Sequence, residues 1–277
     1  MLSSVIVTDL IELTGLKLTP RQLLKYFHTF LELNPKPSKK QPYTRYINLK
    51  VDGSYFGRTG CTLVFKEGQR IIYWDYVERE NFRNYIKCFQ ELSALGFIPL
   101  SVTSDKHGSI VGVVKYLFPS ILHQYCLVHI QKRCESLLTK NPETQAGSDL
   151  LEISKYLNQI TNTKEKGVFI KWLELYENRY KDFLNQRTYS NDKLSKKKWW
   201  YTHKNVRAAF RHVKTSLPNM FFYLDNPNIP KDTNGLEGGF THLKSKVGSH
   251  RGLSNYRREY FVNWYWYLKS IYYKKQF

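Results

Sequence analysis

The spacing of hydrophobic residues changes twice along the first part of the chain. After Thr19-Pro20, a pair typical of a helix start, apolar side chains recur every three or four positions up to Leu31, which predicts a helix. NPKPSKKQP, over residues 34–42, has the composition of a linker. The spacing then shortens to two in YINLKVDGSYF, which predicts a strand. We therefore expect a helical N-terminal segment and linker over residues 1–42, followed by a sheet.

Residues 43–134 alternate between strand-like and helix-like patterns. After the first strand, CTLVFKEGQRIIYWDYV predicts two strands about a Glu67-Gly68 turn. The amphipathic stretch NFRNYIKCFQELSALG predicts a helix that ends at Gly96. PLSVTSD, GSIVGVVKYLF and ILHQYCLVH predict a strand, a helix, and a strand that leads into another helix. Three strands followed by β-α alternation indicate an α/β fold, with a mixed sheet flanked by helices.

Strand-like patterns disappear after about residue 135. GSDLLEISKYLNQI and EKGVFIKWLELYENRYKDFLNQ have helical spacing, so we predict an all-helical insertion over residues 135–230. This insertion is basic, because residues 187–216 hold nine Lys and Arg against one Asp. Two closing helices are predicted within residues 231–277, and we expect them to complete the core that begins at residues 43–134.

The charge and the aromatic content together indicate the kind of partner. The formal net charge is +20, and 16% of the residues are aromatic. Such an excess of positive charge points to a polyanion, and Tyr, Trp and Arg suit a surface that contacts phosphates and stacks on bases. The plainer interpretation is that the aromatic residues fill a core while the lysines are solvated. We expect nucleic acid to be the partner.

The cysteines and the apolar stretches bear on the compartment. The four cysteines form no CxxC pair, which argues against a zinc ribbon or a thioredoxin-type motif. The sequence shows no signal peptide, and its aromatic C-terminal stretch is interrupted by Asn263 and Lys269. We therefore expect a cytoplasmic, nucleoid-associated protein with no membrane partner.

Two aspartates stand at the predicted ends of strands. Asp52 ends INLKVDGS, and Asp105 ends PLSVTSD. A carboxylate at the end of a buried strand is costly unless it is hydrogen-bonded or bound to a metal, and sites of open α/β sheets gather at the carboxyl ends of strands. Each has an alternative interpretation: Asp52-Gly53 is a common turn pair, and Asp105 suits the cap of the following helix.

A third carboxylate, Glu237, lies in KDTNGLEGGF. Asn234 and Glu237 have capping-box spacing, so capping alone would explain the glutamate. Lys244 follows two helical turns later on the same face, which capping does not require. A site that handles phosphate would use both groups. Three separated carboxylates and a lysine meet the needs of two-metal phosphoryl transfer. The two glycines after Glu237 would let DNA or a neighbouring strand approach it.

These residues resemble, in order, the catalytic residues of a DDE transposase. SDKHGSI, HQYCLVHIQKR and TNGLEGGFTHLK are similar to motifs of the Mutator-like transposases of bacterial insertion sequences. The resemblance covers about residues 45–260, and no single motif carries it alone. Residues at matching positions are Asp105, Cys126, His129 and Glu237.

The resemblance implies a fold, an activity and a set of partners. The fold is a ribonuclease-H-like core with a helical insertion before the last catalytic helix. The activity is metal-dependent DNA strand cleavage followed by transfer of the 3′-OH, with two Mg²⁺ ions that Mn²⁺ can replace. The partners are transposon ends and target DNA, bound as a homodimer, and there is no small-molecule cofactor. The catalytic and metal-binding residues are Asp52, Asp105 and Glu237.

We also expect contacts to DNA from Lys244, His129, Cys126, Arg251, Trp199 and Trp200, and from Arg257 and Arg258 in HRGLSNYRR. The resemblance suggests that the tryptophans stack on a flipped base, whereas the alternative is that at least one of them fills the core of the insertion. The cysteine and histidine have three interpretations: a structural pair near the active site, ordinary core packing, or zinc ligands. A zinc site would use His123, Cys126, His129 and Cys134.

The N-terminal region separates the competing functions. Members of this family usually carry a DNA-recognition region there, whereas here the predicted core begins near residue 45 and the first 40 residues contain no cysteine. Autonomous transposition is therefore in doubt. The alternatives to a transposase core are a truncated or domesticated DNA-binding protein without transposition activity, and a structure-selective nuclease on the same fold. The intact acidic triad favours an enzyme, since a binding protein has no need of it.

Overall fold

A computed structural model describes residues 15, 17–35, 37, 41–192, 194, 196–249 and 253–272. The strands are β1 Arg45–Tyr55, β2 Cys61–Glu67, β3 Arg70–Val77, β4 Phe97–Ser104, β5 Leu122–Tyr125, β6 Arg187–Tyr189 and β7 Trp199–Tyr201. The helices are α1 Pro20–Glu32, α2 Phe82–Ala94, α3 Gly108–Leu117, α4 Leu127–Leu138, α5 Gln145–Tyr156, α6 Thr163–Asn185, α7 Lys204–Lys214, α8 Phe222–Asp225, α9 Asn234–Ser249 and α10 Asn255–Tyr272.

Five strands form one mixed sheet in the order β3-β2-β1-β4-β5. Strand β2 pairs antiparallel with both β1 and β3, whereas β4 and β5 are parallel. Strand β2 is buried almost throughout, which explains why its sequence is a nearly continuous apolar run. The predicted α/β fold with a mixed sheet and flanking helices is confirmed.

Local sequence signals explain where the helices begin. Thr19 caps α1 through a capping box with Gln22, as the Thr19-Pro20 pair predicted. Asn81 caps α2 by accepting a hydrogen bond from the amide of Asn84. Helix α2 then buries Phe89, whose ring lies edge-on to Phe65 of β2 at 5.4 Å between centroids. The amphipathic pattern of α2 is therefore used to cover one face of the sheet.

The chain divides into two compact units. The first unit comprises residues up to 100, residues 108–119 and residues from 233 onward. Its core brings α9 and α10 against the sheet, and Trp266 of α10 donates a hydrogen bond from its indole nitrogen to Thr62 of β2 at 3.1 Å. Core residues on this side of the sheet include Val64, Trp74, Leu236, Phe240, Leu243 and Phe261.

The second unit comprises residues 101–107 and 120–232, and holds most of the predicted insertion. Helices α4 to α7 bury apolar residues such as Leu150, Phe169 and Val213. The insertion is not all-helical, contrary to our prediction, because β6 and β7 form an antiparallel two-stranded ribbon. Among the described helices of the whole chain, none is both long and apolar enough to cross a membrane.

Candidate active site

Asp52 lies within β1 and not at its end. The strand continues to Tyr55, and Asp52 is directly opposite Val64 of β2, so the predicted strand end and the alternative Asp-Gly turn are both wrong. Residues opposite each other in an antiparallel pair point to the same side, and Val64 belongs to the core under α9 and α10. Asp52 is 7% exposed, and one carboxylate oxygen accepts a hydrogen bond from the amide of Gly53 at 2.9 Å.

A hydrogen bond connects Asp52 to the start of helix α9. The hydroxyl of buried Thr233 donates to Oδ2 of Asp52 at 3.4 Å, and Asn234 is the first residue of the helix. Thr233 therefore directly precedes the helix, in the position that we had predicted for Asn234. Glu237 lies in the first turn of α9, half-buried. The buried carboxylate of β1 and the helix that carries Glu237 are thus brought together.

Lys244 lies on the same helix, exposed to solvent. Its charge reaches the buried thiol of Cys61 in β2, as does the charge of Asp52. Burial chiefly raises the pKa of Cys61 to about 12, with Glu80 and Asp52 raising it further and Lys244 opposing them. Lys244 and Asp52 both belong to the first unit.

Our sequence analysis missed Lys66, a buried residue at the base of α9. Its Nζ donates to the carbonyl of Gly235 at 3.3 Å and to Oε1 of Gln69 at 3.1 Å. Burial lowers the pKa of Lys66 to about 8, assisted by the positive charges of Lys50 and Lys269. This lysine fixes the first turn of the Glu237 helix from below, and no local pattern in the sequence marks it.

Asp105 directly follows β4, as predicted, and two residues separate it from the start of α3. Its side chain accepts a hydrogen bond from the amide of His107 at 3.1 Å, a residue that lies before the helix. The carbonyl of Asp105 accepts from the hydroxyl of Ser104 at 2.7 Å, and that hydroxyl also contacts Nε2 of His123 at 2.8 Å. Burial lowers the pKa of His123 to about 4, so its ring is neutral near pH 7.

Cys126 and His129 lie at the start of helix α4, where β5 leads into the helix as predicted. Cys126 is fully buried in the capping position, and His129 is half-buried in the first turn. The other residues of the zinc interpretation have different neighbours: His123 contacts Ser104, and the sulfur of Cys134 points to the carbonyl of Ala209 at 4.0 Å. This geometry gives the zinc interpretation no support.

The two tryptophans lie on opposite faces of the β6–β7 ribbon. The pairing places Trp199 opposite Tyr189, and Trp200 opposite Thr188. Trp199 is 38% exposed and Trp200 is 37% exposed, so neither fills the core of the insertion as one of our alternatives required. We call the face that carries Arg187, Tyr189, Trp199 and Tyr201 the Trp199 face.

Cations stack on the aromatic rings of the Trp199 face. The guanidinium of Arg187 lies 4.1 Å from the ring centroid of Trp199, and that of Arg207 in α7 lies 3.9 Å from the ring centroid of Tyr201. Such contacts hold planar groups in parallel layers on an exposed surface. The face therefore presents both positive charge and flat aromatic area to solvent.

The predicted arginines near the start of α10 make contacts within the first unit. Arg258 donates from its guanidinium to the hydroxyl of Thr59 at 2.5 Å, in the turn between β1 and β2. Burial lowers the pKa of His28 in α1, and the positive charge of Arg257 lowers it further. Arg251, which we also predicted to contact DNA, lies outside the described residues.

The donor chemistry of the three carboxylates fits magnesium. Mg²⁺ prefers oxygen ligands and in phosphoryl transfer is held by one or two carboxylates, with substrate phosphates and water completing its shell. Within the described part of the chain, no three His, Cys, Asp or Glu side chains are grouped so as to hold a metal ion. Asp52 and Glu237 belong to the first unit and Asp105 to the second.

No protein-family model matches the chain, and a search of curated proteins finds no similar sequence. The interpretation of the site therefore depends on its own geometry and motifs.

Proposed function

We propose that this chain is the catalytic core of a DDE-type DNA transposase with a ribonuclease-H-like fold. The observation that carries the proposal is the hydrogen bond from Thr233 to Asp52, because it joins a buried strand carboxylate to the helix of Glu237 and Lys244. Asp105 directly follows β4, which neighbours β1 in the sheet. The sheet order β3-β2-β1-β4-β5 is compatible with the proposed fold.

In the proposed reaction, water attacks a phosphorus at the end of the mobile element. The bond to the 3′ oxygen breaks and leaves a 3′-hydroxyl and a 5′-phosphate. That hydroxyl then attacks a phosphodiester of the target DNA and displaces the 3′ oxygen of the target strand. Bound Mg²⁺ would activate the attacking oxygen and stabilise the leaving oxygen. No covalent intermediate with the protein is needed.

Particular side chains of this chain have separate roles in the proposed reaction. Asp52, Asp105 and Glu237 would supply the anionic oxygens that hold the metal. Burial of Asp52 and its hydrogen bonds from Gly53 and Thr233 fix its orientation before DNA arrives. Lys244, exposed on the same helix as Glu237, supplies a positive charge for the scissile phosphodiester.

DNA binding is supported by the basic second unit. The Trp199 face offers aromatic rings and guanidinium groups on which unpaired bases can stack, a contact that tolerates any sequence. The exposed lysines 196–198 precede β7 and supply charge for backbone phosphates. These features suit an enzyme that distorts DNA ends, and they suit equally a protein that only binds DNA.

Isosteric substitutions separate these two functions. Asp52→Asn, Asp105→Asn and Glu237→Gln should each reduce Mg²⁺-dependent nicking of plasmid DNA by more than about 100-fold, because each removes an anionic metal ligand. DNA affinity, measured by fluorescence anisotropy, should change by less than about threefold. The matched control is Glu174→Gln, an exposed carboxylate of α6, which should leave both measurements unchanged.

Three results would contradict the proposal. Tight DNA binding without cleavage in Mg²⁺ or Mn²⁺ would identify a DNA-binding protein. Cleavage without joining of a 3′-hydroxyl oligonucleotide to plasmid would identify a nuclease. A nicking activity that survives Glu237→Gln would show that the triad is wrongly assigned.

A further inference from the structure

The segment that carries Asp105 connects a strand to a helix. Residues 105–107 lie between the end of β4 and the start of α3 and belong to neither element. The orientation of the Asp105 carboxylate therefore depends on side-chain contacts along these three residues. The hydroxyl of Ser104 and the amide of His107 hold the two ends of the segment.

Lys106, in the middle of the segment, is bound to the C-terminal end of helix α7. Its Nζ lies 2.6 Å from the hydroxyl of Thr215, 2.9 Å from the hydroxyl of Ser216 and 3.4 Å from the carbonyl of His212. An ammonium group has three donors, and all three have an acceptor here. We call this arrangement the Lys106 contact.

The acceptors of the Lys106 contact are themselves fixed. The hydroxyl of Thr215 donates to the carbonyl of Arg211, and the fully buried hydroxyl of Ser216 donates to the carbonyl of His212. Each hydroxyl has used its single hydrogen, so each must accept from Lys106. The last carbonyls of a helix carry partial negative charge, which favours a cation at this end. The contact is therefore specific in both geometry and charge.

We propose that Lys106 is a positioning residue, which holds Asp105 in the orientation that binds metal by fixing its segment to helix α7. This inference rests on the proposed function, because it concerns the metal-binding role of Asp105. The insertion then has a second task besides contacting DNA: the end of its helix α7 supports the second carboxylate of the triad.

The test compares two ways of breaking the same contact. Lys106→Met removes the donors, and the double variant Thr215→Val/Ser216→Ala removes two acceptors while keeping the lysine. Loss of a group that orients a metal ligand typically weakens metal binding by about 10–100-fold. Each variant should therefore raise, by about tenfold or more, the Mg²⁺ concentration that gives half-maximal nicking. Lys106→Arg keeps the charge and the reach, and should recover part of this loss.

Two further measurements do not depend on activity. Mn²⁺ affinity of the complex with short duplex DNA, measured by electron paramagnetic resonance, should fall in parallel. Hydrogen exchange of the backbone amides over residues 105–110 should become faster, while the thermal midpoint stays close to that of the wild type. The matched control is Lys171→Met, which removes an exposed lysine from α6 and should change neither quantity.

The combined triple variant decides whether the effects share one cause. If Lys106 acts through Thr215 and Ser216, the triple variant should be no worse than Lys106→Met alone. Additive losses in the triple variant would overturn the positioning role. So would a Mn²⁺ affinity that is lost in Asp105→Asn but unchanged in Lys106→Met. Either result would leave the proposed function intact. If Asp105→Asn itself keeps Mn²⁺ binding and nicking, the proposed function fails, and the role of Lys106 fails with it.

Discussion

Burial makes the positive charge of Lys66 unfavourable in the folded protein. Its side chain is 4% exposed, below the first turn of α9, and its pKa is lowered from 10.5 to about 8. At about 1.4 kcal/mol for each pH unit, the charged form is disfavoured by about 3 kcal/mol relative to the unfolded chain. The hydrogen bonds to Gly235 and Gln69 offset part of this cost.

Lys66 should make stability depend on pH in alkaline solution. Below pH 8 this lysine is protonated in both the folded and the unfolded chain, so it contributes no slope. Between about pH 8 and 10.5 the unfolded chain binds more protons, so its contribution to the free energy of unfolding rises with pH. The stability of Lys66→Met relative to wild type should therefore fall by about 1–2 kcal/mol from pH 8 to pH 10, measured by urea denaturation.

A matched lysine controls for the other groups that titrate in this range. Lys171→Met, on the exposed side of α6, should give a stability difference from wild type that is constant between pH 8 and pH 10. A constant difference for Lys66→Met as well would mean that the buried lysine has an ordinary pKa.

At the residue scale, sequence patterns selected candidate residues without revealing their surroundings. Asp52, Asp105 and Glu237 were singled out from their types and neighbours, but the Asp52-Gly53 pair predicted a turn that pairing with β2 overrides. Lys66 was missed because its contact with Gly235 joins residues that are 169 positions apart in the sequence. Lys106 has no sequence signal either, since its acceptors lie over 100 residues away.

Two adjacent glycines in helix α9 have different tasks. A Cβ atom at Gly239 would lie 3.1 Å from the nearest ring carbon of Trp266 in α10, which is 1% exposed. A Cβ atom at Gly238 would meet no atom within 4 Å. We had expected both glycines to admit DNA or a neighbouring strand, but Gly239 admits the tryptophan of the neighbouring helix. The packing of α9 on α10 therefore favours a glycine at position 239.

Alanine substitutions should separate these tasks. Both substitutions gain helix propensity of about 1 kcal/mol, because glycine is a poor helix former. Gly239→Ala also crowds a buried ring, which typically costs about 1–3 kcal/mol. Thermal unfolding should therefore show Gly238→Ala to be more stable than wild type, and Gly239→Ala to be less stable than Gly238→Ala by about 1–3 kcal/mol. Equal stabilities would mean that Trp266 moves aside at no cost.

At the scale of elements, periodicity predicted the long helices and strands and the four-residue strand β5, and failed for the three-residue strands β6 and β7. The strands β6 and β7 have three residues each, which is too few to display a period of two. Their pairing is supported by cations stacked on aromatic rings, including Arg207 from α7. Such support comes from neighbouring elements in space, so LSKKKWWY was interpreted as part of a helical segment.

At the scale of the whole molecule, segments distant in sequence are grouped within one unit. We placed the boundary of the insertion at residue 135, whereas the second unit also includes residues 101–107 and β5. Hydrogen bonds explain this grouping: the hydroxyl of Thr103 donates to the carbonyl of Pro230 at 2.8 Å, and the amide of Leu127 donates to the carbonyl of Lys231 at 3.1 Å. A linear sequence pattern does not reveal such contacts.

The net charge of +20 leads to a prediction about the salt dependence of DNA binding. Each phosphate contact releases counterions and contributes about 0.9 to the slope of log affinity against log salt concentration. With roughly six contacts, the slope should be about −5. Replacing exposed lysines 196–198 by glutamine should make the slope shallower by up to about 3, because these residues precede the exposed aromatic strand β7.

A second triple variant tests whether position or net charge matters. Replacing lysines 164, 171 and 181 by glutamine removes the same charge from exposed sites on α6. If the Trp199 face contacts DNA, the slope of this variant should stay within about one unit of the wild-type value, since few phosphates lose a partner. Anisotropy titrations at four salt concentrations give all three slopes. Equal reductions in both variants would mean that charge acts through the field of the whole protein and that the Trp199 face is not the contact surface.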